Sequence, residues 1–391
     1  MRIGRILGIG VGVLLVTTLA AAFWIAANVE LFLNRVVPVA VPAVSDQARA
    51  LHASAFVADM HADTLMLRGD LTVRSRTGHV DLPRLQEGGV ALQFFTAVTK
   101  VPLGFNIEAT DGDRLDLLTL VGMFQLSPFV GSDLLQRALL YSQRLQDSIA
   151  RAQGQLLPVR SVADLDRLLA RRAADPRVVG ALLGSEGAHP LLDDPANVEA
   201  LFGAGFRMIG LAHFFDNPFV GSAHGLRKGG LTDKGRDLVR RMERLGVLVD
   251  LAHVSPAGID DVLAMATKPV VVSHGGVRGT CDNRRNLSDE HIRGIARTGG
   301  VIGIGYWDTA VCGTEMRHVT AAMRHVVAVA GDDFVGLGSD FDGATTTGFD
   351  VSQLPSLTQQ MIDDGFSDAT IAKILGGNVQ RVLRQVLPPG N

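Results

Sequence analysis

The chain has 391 residues, 47% hydrophobic and 20% charged, which excludes a disordered protein and allows a large core. A formal net charge of −3 argues against a nucleic-acid partner. Two cysteines are too few for a disulfide-stapled scaffold or a cysteine zinc cluster, while 44 glycines and 5% aromatics suit an α/β protein with many tight turns.

Residues 6–29 carry no charge, with Arg2 and Arg5 before them and Glu30 and Arg35 after. Such a run is long enough to span a bilayer as one helix, and the early arginines predict a cytoplasmic N-terminus with the rest of the chain exported. The rival is a signal peptide cut near Ala20-Ala21-Ala22, which exports the chain equally. Residues 1–35 are thus expected to be a membrane anchor. Residues 36–55 are expected to be a linker with Pro38 and Pro42, then a short helix from about Ser45 to Ala53. Residues 56–391 form the predicted folded domain.

Eight apolar or β-branched runs are expected as strands, at 56–61, 90–96, 178–185, 208–213, 247–253, 270–274, 301–306 and 334–340. Near-continuous apolar character indicates parallel strands covered on both faces. Helical patterns lie between them, for example from Asp133 to Ala152 and from Ser161 to Ala173, where Ser161 and Asp164 could form a capping box. Ser255-Pro256 reads as an N-cap followed by proline at the first helical position. Strand then helix, repeated in this way, predicts a (β/α)8 barrel, the TIM-barrel architecture.

The strand ends carry the chemistry. His61 and Asp63 end the first run, Glu186 the third, His213 the fourth, His253 the fifth, His274 the sixth and Asp340 the eighth. Carboxyl ends of barrel strands meet on one face, where active sites form. Singly, each residue has an ordinary structural explanation, such as a solvated histidine or a capping aspartate. Together they read as a two-metal hydrolase. His61, Asp63 and Glu186 hold one ion; Glu186, His253 and His274 hold the other; a bridging water attacks a carbonyl carbon. This nitrogen and oxygen ligand set suits zinc best, with manganese or iron open. Asp340 could move the proton, and His213 could be a ligand or a donor to the developing oxyanion. One arginine of Arg284-Arg285 could clamp a substrate carboxylate.

The sequence resembles the membrane dipeptidase (renal dipeptidase) family of zinc peptidases from about Phe56 to Leu387. The resemblance rests on Asp59-Met60-His61-Ala62-Asp63, His79-Val80-Asp81-Leu82-Pro83, Glu186-Gly187-Ala188-His189, Asp250-Leu251-Ala252-His253, Val272-Ser273-His274, Arg284-Arg285-Asn286 and Gly338-Ser339-Asp340-Phe341-Asp342-Gly343. It implies that His61 and Asp63 bind one zinc, that Glu186 bridges, and that His253 and His274 bind the second. It further implies that His213 stabilises the tetrahedral intermediate, that Arg285 holds the terminal carboxylate and that Asp340 handles the proton. Members cleave dipeptides, many accept a D-residue at the C-terminal position, and members are commonly homodimers. Cys281 and Cys312 fall where mammalian members have a disulfide. Residues 101–129 match poorly and are expected to form a rim or lid; the loop from His224 to Gly230 is similarly unplaced. The chain closes on Leu387-Pro388-Pro389-Gly390-Asn391 without the apolar tail of lipid-anchored relatives, so the N-terminal helix is expected to anchor it. The rival enzyme is another metal-dependent amidohydrolase acting on N-acyl amino acids or lactones. Those sites often use a His-x-His pair and a carbamylated lysine, in place of His61, Asp63 and Glu186. A non-enzymatic membrane-tethered barrel would be marked by a missing ligand, and none is missing.

Overall fold

Eight short strands build the centre of the molecule: β1 (Val57–Ala62), β2 (Val90–Ala97), β3 (Val179–Ser185), β4 (Phe206–Gly210), β5 (Leu248–Asp250), β6 (Val271–Val272), β7 (Val301–Ile304) and β8 (Val335–Leu337). These are the elements of a computed structural model that describes residues 2–390 except 68 and 126, and, for residues 2–13 and 15, the backbone alone. Neighbours pair in parallel in the order β2-β1-β8-β7-β6-β5-β4-β3. β2 and β3 then close the sheet on itself, from Leu92 opposite Gly180 to Ala97 opposite Ser185. The predicted (β/α)8 barrel is therefore present. Every residue of the eight strands is buried, as their apolar runs require.

Ala58 and Met60, Leu92 and Phe94, Leu182, Met208, Leu248, Val271 and Val301 form one cluster filling the barrel. The last helix, Asn378–Val386, adds Val379, Val382 and Leu383 to that cluster. It closes the amino ends of the strands, since Gly376 abuts the carbonyl of Phe56 just before β1. The other end is left open for the site. The predicted N-caps Ser161 and Ser255 are found, on Val162–Ala174 and Pro256–Met265, and Ser45 also caps Asp46–Ser54.

Three differences from the sequence reading matter. β4, β5, β6 and β8 end before their apolar runs do, so His213, His253, His274 and Asp340 stand on loops beyond them. Leu156–Pro158 adds an unforeseen outer strand beside β3. The spacer is not free at its start: Arg35–Val36 pairs in parallel with Thr346–Thr347 beyond β8.

The backbone is helical over Arg2–Ala27, as the anchor reading expects, and again over Glu30–Leu33. Among the described residues no helix is long and apolar enough to cross a membrane. Much of the expected span, residues 6–13 and 15, lies outside the described side chains. The end of this helix docks on the rim. Phe23 meets Phe124 edge-on at 5.4 Å, and Gln125 donates to the carbonyl of Ala26 at 2.7 Å.

Candidate metal centre

His61, Asp63, Glu186, His213, His253, His274, Arg285 and Asp340 converge at the open end of the barrel. His253 Nε2 lies 3.1 Å and His274 Nε2 3.4 Å from Glu186 Oε1. His61 Nε2 lies 3.6 Å from the same oxygen and 3.5 Å from Asp63 Oδ2. His213 Nε2 faces the other oxygen, Glu186 Oε2, at 3.4 Å. Asp340 Oδ1 stands 3.9 Å from His61 Nε2. Arg285 is buried, lines the same cavity and donates from Nη2 to the carbonyl of His274 at 2.7 Å. Arg284 is exposed and paired with Glu108 at 3.1 Å.

The loops that present these groups hold unusual backbone. His253 and Asp340 take φ values of +63° and +60°, the left-handed region that non-glycine residues avoid. Such strain persists where surroundings over-determine it, and it concentrates at functional sites. Gly187 follows Glu186 at φ +87°, where an added Cβ would lie 2.3 Å from the His189 ring. A Cβ on Gly343 would lie 2.2 Å from Asp340 Oδ1.

The electrostatics describe a dry cluster short of positive charge. Burial raises Glu186 well above its ordinary value, and Asp63 adds to the rise. Burial likewise pushes Asp340 up to about 8. Burial pulls His61 down, but Asp63, Glu186 and Asp340 together outweigh it and lift it to about 10. His213, His253 and His274 are held well below the usual imidazole value, first by burial and then by the surrounding histidines and Arg285, which favours the neutral, ligating form.

These residues fit a metal. Three overlapping groups (His61, Glu186, His274; Glu186, His213, His253; His61, Asp63, Asp340) each bring their ligand atoms within 4.8 Å of one another. His61 Nε2 and His213 Nδ1 are buried with no hydrogen-bond partner. A cation among these carboxylates would relieve both their repulsion and the orphaned His61 Nε2. The imidazole and carboxylate set suits zinc.

The profile of the membrane dipeptidase family, peptidase family M19, matches residues 45–388. The chain belongs to the membrane dipeptidase family. It is accordingly a metal-dependent dipeptidase. It is 33% identical over 320 residues to the dipeptidase tcpJ of Claviceps purpurea, covering 79% of this chain and 69% of that one. It is 30% identical to the dipeptidase verJ of Clonostachys rogersoniana, covering 80% and 76%. Among solved structures, a metallopeptidase from Rhodobacter sphaeroides, liganded with a phosphinate mimic of the dipeptide L-Ala-D-Ala, superposes with a TM-score of 0.70 at 25% identity, covering 85% of this chain and 99% of that one.

Sequence reasoning missed the groups that orient the candidate ligands. The Ser273 hydroxyl donates to Asp250 Oδ2 at 2.6 Å. With its proton so used, it can only accept from His61 Nδ1 at 3.1 Å and His274 Nδ1 at 3.0 Å. One serine thus turns the Nε2 atoms of both imidazoles inward. Thr96 fixes Asp63 by donating to Oδ1 at 2.6 Å. His224 joins the rim to the site: its Nδ1 lies 3.0 Å from the Ile107 carbonyl, and its Nε2 lies 3.0 Å from His253 Nδ1. If Nδ1 of His224 carries its proton, Nε2 accepts from His253 and leaves His253 Nε2 for a metal. The Val272-Ser273-His274 motif was the only available signal for Ser273, and nothing local marked His224.

The expected disulfide is present. Cys281 and Cys312, with Cα atoms 5.4 Å apart, tie the loop after β6 to the loop after β7. Residues 101–129 do form a rim. Pro102 bridges to Asp116, the helix Leu117–Gln125 follows, and Val101, Phe105 and Ile107 line the cavity above Glu186.

Proposed function

We propose that the protein is a binuclear zinc dipeptidase that cleaves dipeptides and tolerates a D-residue at the C-terminal position. The observation that carries this reading is the convergence of His61, Asp63, His213, His253, His274 and Asp340 on Glu186 at one open barrel end. Glu186 Oε1 faces His61, His253 and His274, the histidines assigned to both ions, which supports its role as the bridge. Asp63 and His61 hold one ion, and His253 and His274 the other. Tolerance of a D-residue is supported by the Rhodobacter sphaeroides relative, whose ligand mimics L-Ala-D-Ala.

Zinc ions bound there supply Lewis acidity to the peptide carbonyl and a nucleophilic water at neutral pH. The Arg285 guanidinium holds the substrate carboxylate, with the buried setting strengthening that pair. His213 donates a hydrogen bond to the oxygen that becomes negative as the carbonyl carbon turns tetrahedral. Asp340 takes the proton of the attacking water and passes it to the amide nitrogen as the carbon–nitrogen bond breaks. Asp340 is buried beside His61, with Oδ1 3.9 Å from Nε2, which supports its place in both transfers.

The N-terminal helix is proposed to anchor the chain, with the barrel on the extracytoplasmic side; cleavage of the leader would release it. The disulfide supports an oxidising location. A homodimer is the proposed assembly, by family resemblance.

The test is metal content and turnover of one preparation made without chelator. About two zincs per chain, with release of amino acids from L-L and L-D dipeptides, is expected. Turnover confined to N-acyl amino acids would move the protein to the amidohydrolase reading. Intact membranes that shed the chain in alkaline carbonate would overturn the anchor.

A further inference from the structure

We propose that the rim helix Leu117–Gln125 is a second contact with the lipid bilayer, beside the expected anchor, so that the open end of the barrel is held against the membrane surface. This inference rests on the anchor reading and goes beyond it by fixing how the barrel is turned.

The two segments touch. Phe23, near the end of Arg2–Ala27, meets Phe124 of the rim helix with ring centroids 5.4 Å apart, and Gln125 Nε2 donates to the Ala26 carbonyl at 2.7 Å. A bilayer that takes the helix up to Phe23 therefore reaches Phe124 at much the same depth. Residues 117–132 carry no charge, and neither do residues 6–29. Of the eighteen large apolar side chains exposed among the described residues, nine lie within residues 14–36 and five within 103–130, so the apolar surface is concentrated on these two segments. Such a patch marks an interaction site on a protein or a membrane. Lipid is the occupant that fits, because the patch continues the uncharged run of the anchor. Trp24 also lies near the end of that run, the level at which tryptophan gathers in a bilayer.

The rim helix is two-sided and fastened to the barrel. Leu117, Leu118 and Val121 line the cavity that holds Glu186, whereas Met123 is 56% exposed. Asp116, just before the helix, ties its start down. That carboxylate accepts from the backbone N–H of Thr119 at 3.1 Å and of Val101 at 3.0 Å, and it pairs with Arg137 at 2.5 Å. Arg137 in turn donates to the Thr99 carbonyl at 2.9 Å, just beyond β2. Leu115 is 66% exposed, and Leu103, whose N–H donates to the Leu115 carbonyl at 2.7 Å, is exposed beside it. A single tether leaves a barrel free to turn about it. A second lipid contact, rigidly joined to β2, stops that rotation and keeps the mouth of the site next to the membrane.

The experiment uses the full zinc-loaded chain in phosphatidylcholine nanodiscs. Both native cysteines are in the disulfide, so one introduced cysteine can carry an environment-sensitive fluorophore. Leu19→Cys reports the anchor, and Leu115→Cys and Met123→Cys report the rim. Gln385→Cys reports the last helix, at the opposite end of the barrel, where the side chain is exposed. An unchanged melting temperature shows that each labelled chain is folded. Nitroxide-bearing lipid should quench the probes at positions 19, 115 and 123 several-fold more than the probe at 385. Adding Met123→Arg should cut the quenching at 115 several-fold and leave that at 19 unchanged. Strong quenching at 19 alone would overturn the rim contact and leave the anchor standing. Equal quenching at 385 would overturn the orientation. Probes at 115 and 123 that are shielded but not quenched, with two chains in each disc, would assign the face to a second copy and overturn the lipid contact. No quenching at any position would sink the anchor reading and this inference with it.

Discussion

Ser273 shows how much a single hydroxyl can control. It accepts from imidazoles assigned to different ions, so Ser273→Ala should loosen both at once. A loss of about 10–100-fold in zinc affinity is expected, read by competition with a chelator of known strength. Glu186→Ala should remove metal and activity together. Asp340→Asn, in contrast, should keep the metal and lower kcat by roughly 10²–10⁴-fold; full activity in that variant would refute its proton-transfer role. The candidate ligands were legible because a histidine or carboxylate closing an apolar run is chemically out of place. Ser273, Thr96 and His224 were not, because their partners are remote in sequence: His61 is 212 residues from Ser273. A serine in a strand-end motif looks like any small residue until the fold brings two rings to it.

At the scale of elements, the order of strands was readable and their ends were not. Apolar runs mark burial, and the loops leaving β4, β5, β6 and β8 are as buried as the strands. His253 and Asp340, three residues beyond the ends of β5 and β8, take positive φ. The outer strand Leu156–Pro158 was hidden because three residues hold no period to detect. Two of the catalytic loops depend on one covalent tie. Cys281 and Cys312 close a loop of sequence separation 31. On chain-entropy grounds the bridge stabilises the fold by about 3–4 kcal/mol. A Cys281→Ser, Cys312→Ser double variant should therefore melt lower in calorimetry, and should misplace Arg285, which lies within the tied loop, enough to raise KM.

For the whole molecule, the metal-free cluster sets how stability follows pH. Glu186 and Asp340 are raised by burial, Asp340 to about 8, and His61 is raised to about 10 by its three carboxylates. Each holds its proton more tightly folded than unfolded, so its contribution is lost as pH rises through the folded value. The buried neutral histidines act oppositely, but only below their ordinary value of 6.5. Chelated protein should thus unfold at progressively lower temperature from about pH 6.5 toward pH 10. Zinc should reverse that slope, since it binds the deprotonated ligands of the folded state alone. Thermal unfolding at several pH values, with and without chelator, checks both signs; a metal-free chain most stable at alkaline pH would contradict them.

The pairing of Arg35–Val36 with Thr346–Thr347 joins stretches about 310 residues apart. At ribosomal rates of about 5–20 residues per second, the first stretch waits roughly 15–60 s for the second to be made. Until then the segment just after Val29 and Leu33, two residues that line the cavity, has no strand to pair with. The chain therefore carries its own timer: its earliest-made residues can finish the enzyme only after nearly all the others exist.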